Sequence, residues 1–205
     1  MNSVNEFGVD YATEQLRRSR HPLRKSIKFF YLKNILRDVI DETIDFGCGA
    51  GQLLACLPAG SVGLEVNSHL VDALRKTGLN AQRYDTEDDF LFQDFIYGHY
   101  KTFVMAHVLE HFENADKVLQ KILRSCYRIG IERAIIVVPG FKGYQSDKTH
   151  KTFVNRRYLT EHGLLNCEGY AIRDASYFPV DIESVGDYFI FHEFKLVYDR
   201  VSIQS

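Results

Sequence analysis

Three glycines spaced two residues apart, Gly47, Gly49 and Gly51, follow an acidic residue in the stretch Asp45-Phe-Gly-Cys-Gly-Ala-Gly51. With Thr43 and Ile44 before it and Leu53 and Leu54 after it, the stretch reads as a strand, a glycine-rich turn and the first turn of a helix. Glycine lets the main chain bend sharply and leaves no side chain in the way of a ligand. The free amides of such a turn, with a helix dipole behind them, face whatever sits on the strand tip. Glu65 closes the next apolar run, twenty residues after Asp45. A carboxylate there can accept two hydrogen bonds from the vicinal hydroxyls of a ribose. Turn and carboxylate together are the chemistry of a nucleoside-bearing cofactor.

A dinucleotide loop needs glycine five residues after Gly47, where this chain has Gln52, so the match to a pyrophosphate loop is imperfect. Asp45 would also repel a diphosphate and suits a cation better. S-adenosylmethionine carries an ammonium and a sulfonium and no phosphate. Asp45-Phe-Gly-Cys-Gly-Ala-Gly51 resembles the first motif of class I S-adenosylmethionine-dependent methyltransferases, a resemblance that later stretches extend over residues 25 to 170. It implies that Asp45, Gly47, Cys48, Gly49 and Gly51 hold the methionine end of the cofactor, with Glu65 and Val66 at the ribose. Asp85 and Thr86, at the third strand tip, are then placed at the adenine amine. The main chain of Ala106 and His107 would line the pocket, and S-adenosylhomocysteine would be the product.

Two further stretches carry chemistry. His107-Val-Leu-Glu110-His111 is written like an inverted zinc-peptidase motif. That chemistry needs the residues on one helix face and a further ligand motif. Here the stretch sits just past a strand and no such motif follows, so no metal is expected. The methyltransferase resemblance instead puts His111 near the methyl-transfer channel. The second stretch is Phe141-Lys-Gly-Tyr144-Gln-Ser-Asp147-Lys-Thr-His150-Lys-Thr-Phe153, a long loop after the fifth strand, where substrate-specific work is usually done. It resembles the equivalent loop of methyltransferases acting on hydroxyls of glycans, quinones and other metabolites. Histidine titrates where a general base is useful, so His150 is the candidate base, with Asp147 orienting it and Tyr144 touching substrate.

The elements that must position these residues alternate strand and helix. Strands are expected at 43–45, 61–66, 79–84, 101–106 and 133–138, and helices at 51–57, 69–76, 116–128 and 155–162. The run Ala134-Ile-Ile-Val-Val138 reads as a strand buried on both faces. Phe90–Tyr97 fits a short helix lying on the sheet. Alternation of this kind builds a parallel sheet with helices on both sides and a ligand crevice at the strands' carboxyl ends. The resemblance adds 171–178 and 188–198 as a closing antiparallel hairpin. The fold class is thus α/β, a Rossmann-like three-layer sandwich with a mostly parallel seven-stranded sheet. The loop between the last two strands carries Pro179, Asp181, Glu183 and Ser184, further candidates for touching substrate.

Residues 1–205 read as one domain, with 1–20 a loose arm and 21–40 a cap helix. Arg17, Arg18, Arg20, Arg24, Lys25 and Lys28 give that region a basic face, either a solvated helix side or a neutraliser of an anionic substrate. A net charge of −2 argues against coating nucleic acid over the whole surface. Four cysteines in no metal or paired spacing, no membrane-length apolar run and no signal pattern fit a cytoplasmic protein. The expected activity is methyl transfer from S-adenosylmethionine to a hydroxyl of a small metabolite or saccharide. The alternatives are a nucleic-acid methyltransferase, which lacks the Asn-Pro-Pro-Tyr type of amine-acceptor motif, and a module that binds the cofactor without turnover. A nicotinamide oxidoreductase on the same layout is disfavoured by Gln52 and Asp45.

Overall fold

The computed structural model describes residues 30–85 and 89–201. Residues 1–29, which hold the loose arm, the first part of the cap region and its basic face, lie outside them, as does Thr86. Eight strands form one sheet in the order β3-β2-β1-β4-β5-β8-β7-β6. They are β1 (Thr43–Phe46), β2 (Val62–Glu65), β3 (Ala81–Arg83), β4 (Thr102–Ala106), β5 (Arg133–Pro139), β6 (Asn166–Cys167), β7 (Tyr170–Phe178) and β8 (Glu193–Arg200). The first five are parallel, β8 pairs antiparallel to β5, and β7 pairs antiparallel to β8. The expected count of seven misses β6, a two-residue edge strand too short to show a period. Strand order reverses between β1 and β4, which opens a crevice at their carboxyl ends.

Side chains alternate between the two faces, as a strand's period of two requires. Phe103 and Met105 of β4, with Ile136 and Val138 of β5, join the larger core, while Val104, Ile135 and Val137 join the smaller one. The larger core is covered by α3 (Ala115–Ile129), whose Leu119, Ile122, Leu123 and Cys126 are fully buried. Gly130, in the left-handed conformation, ends that helix. The smaller core is covered by α1, helical over residues 30–36, through Ile35 with Tyr31, Leu32 and Leu36 beside it. Asp38, just past α1, pairs with Arg173 of β7 and with Lys195 Nζ of β8 at 2.5 Å. Although partial burial works against it, these two cations hold the Asp38 carboxyl below its ordinary range. This anchor fixes α1 across the sheet and sets Tyr31 over the crevice.

Two expected helices are absent. After the glycine turn only a 3-10 turn forms, Leu54–Cys56. Pro58 is the cause: the residue before a proline is pushed out of the helical region, and Leu57 is extended, with ψ 163. The macrodipole invoked behind the glycine turn is therefore missing, and the turn's own amides must act alone. Residues 90–97 are turns and coil, with Phe90 and Phe92 at positive φ. Their rings pack on Phe46 and Tyr84 beneath β1 and β3; aromatic burial decides the path there. Conversely, the loop after β5 begins with a short helix, α4 (Phe141–Gln145). The helix α2 (Ser68–Lys76) starts where Asn67 caps the amides of His69 and Leu70, and α5 (Arg156–Glu161) where Asn155 caps Tyr158.

Candidate functional site

The glycine turn leaves β1 at the crevice. Gly47, Gly49 and Gly51 have φ of +74, +51 and +70, and two of the three are also required by packing. A Cβ on Gly47 would lie 2.4 Å from Val108 Cγ2, and one on Gly51 2.4 Å from Leu74 Cδ2. Gly47 thus lets the segment after β4 close on the turn, and Gly51 lets α2 do so. A Cβ on Gly49 would meet nothing nearer than 4.0 Å, so Gly49 marks the open approach. Cys48, by contrast, turns its side chain into the layer under α2, against Gly63 and Leu54. Burial raises its thiol's pKa further above the ordinary range, and only its main chain is left for a ligand.

Glu65, at the tip of β2, spans the turn. Its Oε2 accepts from Gly49 N at 2.9 Å and its Oε1 from Asn67 N at 3.0 Å. Each oxygen keeps a lone pair for a further donor. Asp45 is 3% exposed, and its Oδ2 has no hydrogen-bond partner among the described residues. Burial, reinforced by the Glu65 charge and partly offset by the Leu54 amide, pushes its carboxyl up to about 7. A cation placed beside it would be stabilised by ionising it. Val66 is half-buried and Asp85 exposed at the β3 tip. A cavity of about 390 Å³ between β2, β3 and residues 91–100 touches none of the residues named for the cofactor.

Across the crevice, β4 ends at Ala106 and the chain turns through His107, which has φ +57. A 3-10 turn, Leu109–His111, follows. The His-x-x-Glu-His stretch is therefore a tight turn and not the helix a peptidase needs. His107 Nε2 lies 3.0 Å from Glu193 Oε1 of β8, and its Nδ1 lies 3.5 Å from Glu110 Oε1. Desolvation opposes its charge, but Glu193 and Glu110 together push the imidazole up to about 10. Tyr31 of α1 stands over it, ring centroids 5.6 Å apart.

The loop after α4 is tied to this turn by its main chain. The amides of Lys151 and Thr152 donate to the Glu110 carbonyl at 2.8 and 3.1 Å. That places His150 Nε2 3.7 Å from Glu110 Oε1, with the His111 and His150 rings 4.8 Å apart. His150 Nδ1 is 2.9 Å from the Tyr144 carbonyl, to which it donates, and the Tyr144 ring stacks on its imidazole. Asp147 does not orient His150. Its Oδ1 accepts from the Thr149 amide at 2.9 Å and hydroxyl at 2.7 Å, and Thr149 Oγ1 lies 3.1 Å from His111 Nδ1. The local Asx turn captures Asp147 before it can reach across the loop. The residues that sequence reasoning left outside the site are Tyr31, Thr149 and Glu193, together with Glu110, which it noted without a role. Only Glu110 carried a signal, its place in the His-x-x-Glu-His stretch.

The glycine turn, Glu65, Asp45 and the imidazoles all sit at one edge of the sheet. Solved structures that share this fold include S-adenosylmethionine-dependent methyltransferases and a [4+2]-cyclase. A chain of the complex between the Haloferax volcanii Trm112 methyltransferase activator and the putative methyltransferase aligns with TM-score 0.68 at 14% identity, covering 99% of this chain and 100% of that one. A S-adenosylmethionine-dependent methyltransferase from Archaeoglobus fulgidus aligns with TM-score 0.61 at 16% identity, covering 86% and 94%. Magnesium protoporphyrin IX methyltransferase from Synechocystis PCC 6803, solved with bound S-adenosylmethionine, gives 0.55 at 14%, covering 94% and 85%. At these identities the likeness establishes the fold. No curated protein matches by sequence. A family model, described as methionine biosynthesis protein MetW, matches residues 28–152.

Proposed function

This chain belongs to the family described as methionine biosynthesis protein MetW, and on that premise we propose that it is a cytoplasmic, single-domain S-adenosylmethionine-dependent methyltransferase acting on a hydroxyl of a small metabolite or saccharide. The observation that carries the reading is the join between Glu65 and Gly49 N. It sets a ribose-binding carboxylate against the one open glycine of a turn preceded by buried Asp45. The cofactor's ribose hydroxyls would donate to the remaining lone pairs of Glu65, and its ammonium would pair with Asp45. Asp85 is the adenine contact at the β3 tip. His107, held cationic by Glu193 and Glu110, belongs to the pocket wall through its main chain.

Methyl transfer is an in-line displacement in which the sulfonium leaves with the bond's electron pair. The protein's share is alignment of the two reactants. On the acceptor side His150, with Nδ1 donating to Tyr144, offers its Nε2 lone pair to a hydroxyl proton. Incubation with labelled S-adenosylmethionine and a panel of hydroxyl metabolites, saccharides and RNA tests the reading. Label is expected in a hydroxyl acceptor, with turnover falling about a hundredfold or more in His150→Ala. Tight cofactor binding with no transfer to any acceptor would favour a binding module instead.

A further inference from the structure

The acceptor side holds an arrangement that proton transfer alone does not explain. Glu110 is 1% exposed, and neither of its oxygens has a hydrogen-bond partner among the described residues. A buried carboxylate is strongly disfavoured unless cations compensate it, and the His107 contact at 3.5 Å reaches Oε1 while leaving Oε2 without a hydrogen bond among the described residues. We propose that Glu110, His111 and His150 bind one divalent transition-metal cation of the zinc type. One ligand atom from each of the three lies within 4.8 Å of the others.

Both imidazoles are prepared for this role by what holds their other nitrogen. His150 Nδ1 donates to the Tyr144 carbonyl, which leaves Nε2 with its lone pair facing Glu110. The Thr149 hydroxyl spends its proton on Asp147, so its oxygen accepts from His111 Nδ1 and leaves His111 Nε2 a lone pair as well. A carbonyl or carboxylate relay behind each ligating histidine fixes tautomer and ring orientation in metal sites. Two imidazoles and a carboxylate suit zinc and its first-row neighbours, with a further position open for substrate. Ligand atoms of a tetrahedral site with bonds of about 2.1 Å stand about 3.4 Å apart. Glu110 Oε1 and His150 Nε2 are already at 3.7 Å, and all three ligand atoms lie within 4.8 Å of one another, so closure asks for side-chain shifts of at most about 1.4 Å. A second carboxylate, Glu193, lies on the far side of His107, whose Nδ1 is 3.5 Å from Glu110 Oε1 and whose Nε2 is 3.0 Å from Glu193 Oε1.

Cation binding follows from this geometry alone; its chemical role rests on the methyltransferase reading above. An acceptor hydroxyl taking the open position would have its pKa lowered. Its proton leaves to water, the oxygen pair forms the new O–CH3 bond, and the S–CH3 pair withdraws to sulfur. His150 would then be a ligand and not the base.

The test uses the full chain stripped with chelator and titrated with Co²⁺ alone, followed by visible absorption, and with Zn²⁺ alone by equilibrium dialysis. One equivalent is expected to bind. Glu110→Gln and His150→Ala should each weaken binding by about a hundredfold or more, and Thr149→Val, which reaches the site through His111 and also gives up the hydroxyl's bond to Asp147, by about 10- to 100-fold. His162→Ala, at the C-terminal cap of α5 and bonded to the Tyr158 carbonyl, should bind as the native chain does. Thermal unfolding establishes which variants are folded, and Thr149→Val, on an exposed loop, keeps the test decisive should Glu110→Gln fail to fold. No cobalt binding, or binding indifferent to the folded variants, overturns the site. Calorimetry of S-adenosylhomocysteine on the stripped chain separates the two readings. Cofactor binding without cobalt binding overturns the cation site only. Cobalt binding without cofactor binding supports the site and overturns its hydroxyl-activating role.

Discussion

Replacing Glu65 by glutamine changes one atom in the account and should be felt twice. Glu65 is 8% exposed, and its two oxygens accept from Gly49 N and Asn67 N at 2.9 and 3.0 Å. A glutamine keeps one acceptor and turns the other into a donor, so one of those amides faces an N–H whichever way the amide is turned. A hydrogen bond to a charged group contributes about 1.5–3 kcal/mol. For a chain of this size that predicts a fall of about 3–12 °C in Tm. The cofactor loses an equal interaction, since one ribose hydroxyl meets a donor. That converts to binding about 12- to 160-fold weaker. Titration calorimetry with S-adenosylhomocysteine, well below the lowered Tm, reads the second effect apart from the first. A folded variant with lowered Tm and native affinity would show that Glu65 only ties the turn to β2, and the ribose assignment would be refuted.

Gly51→Ala should cost about 2–5 kcal/mol in chemical denaturation, because its Cβ meets Leu74 at 2.4 Å and its φ is +70. Gly49→Ala should cost less, about 1–2 kcal/mol for its positive φ alone, yet weaken the cofactor more; equal stability losses at 49 and 51 would contradict the packing assigned to Gly51. Asp45 gives a pH signature. Its carboxyl, at about 7 in the fold, holds a proton that the unfolded chain loses near pH 4, so the folded state binds more protons in between. The stability this group contributes is therefore full below about pH 4 and falls as pH rises through 7. Cofactor affinity should run the other way, rising through about pH 7 as Asp45 ionises to meet the ammonium, and Asp45→Asn should flatten both curves. A native affinity profile flat across pH 7 would separate Asp45 from the cofactor.

Much of the sheet was legible because its signals are local. The run Ala134–Val138 has to be buried on both faces, and the glycine turn and Pro139-Gly140 punctuate the chain at strand ends. The helix expected after Gly51 was misread because one proline at 58 outweighs the helical spacing of Leu53, Leu54 and Leu57. Residues 188–192 are aromatic enough for a strand, yet β8 starts only at Glu193, where pairing with Pro139 begins. That same long-range register delivers Glu193 to His107, a meeting 86 residues apart that no local pattern encodes. Within the site, the types Asp45, Glu65, His111 and His150 stood out by spacing. Their partners did not, because Thr149 intercepting Asp147 and Tyr144 orienting His150 are decided by loop conformation. Glu110 was visible only as a letter in a motif; its burial between two imidazoles is a property of the fold.

The central claim, that this acid-preceded turn holds a cationic sulfur nucleoside, is tested most directly by calorimetry of the unmodified chain with S-adenosylmethionine, S-adenosylhomocysteine and NAD in parallel. One equivalent of each of the first two should bind, and NAD should give no heat of binding. Saturable binding of NAD, or silence toward all three, would contradict it.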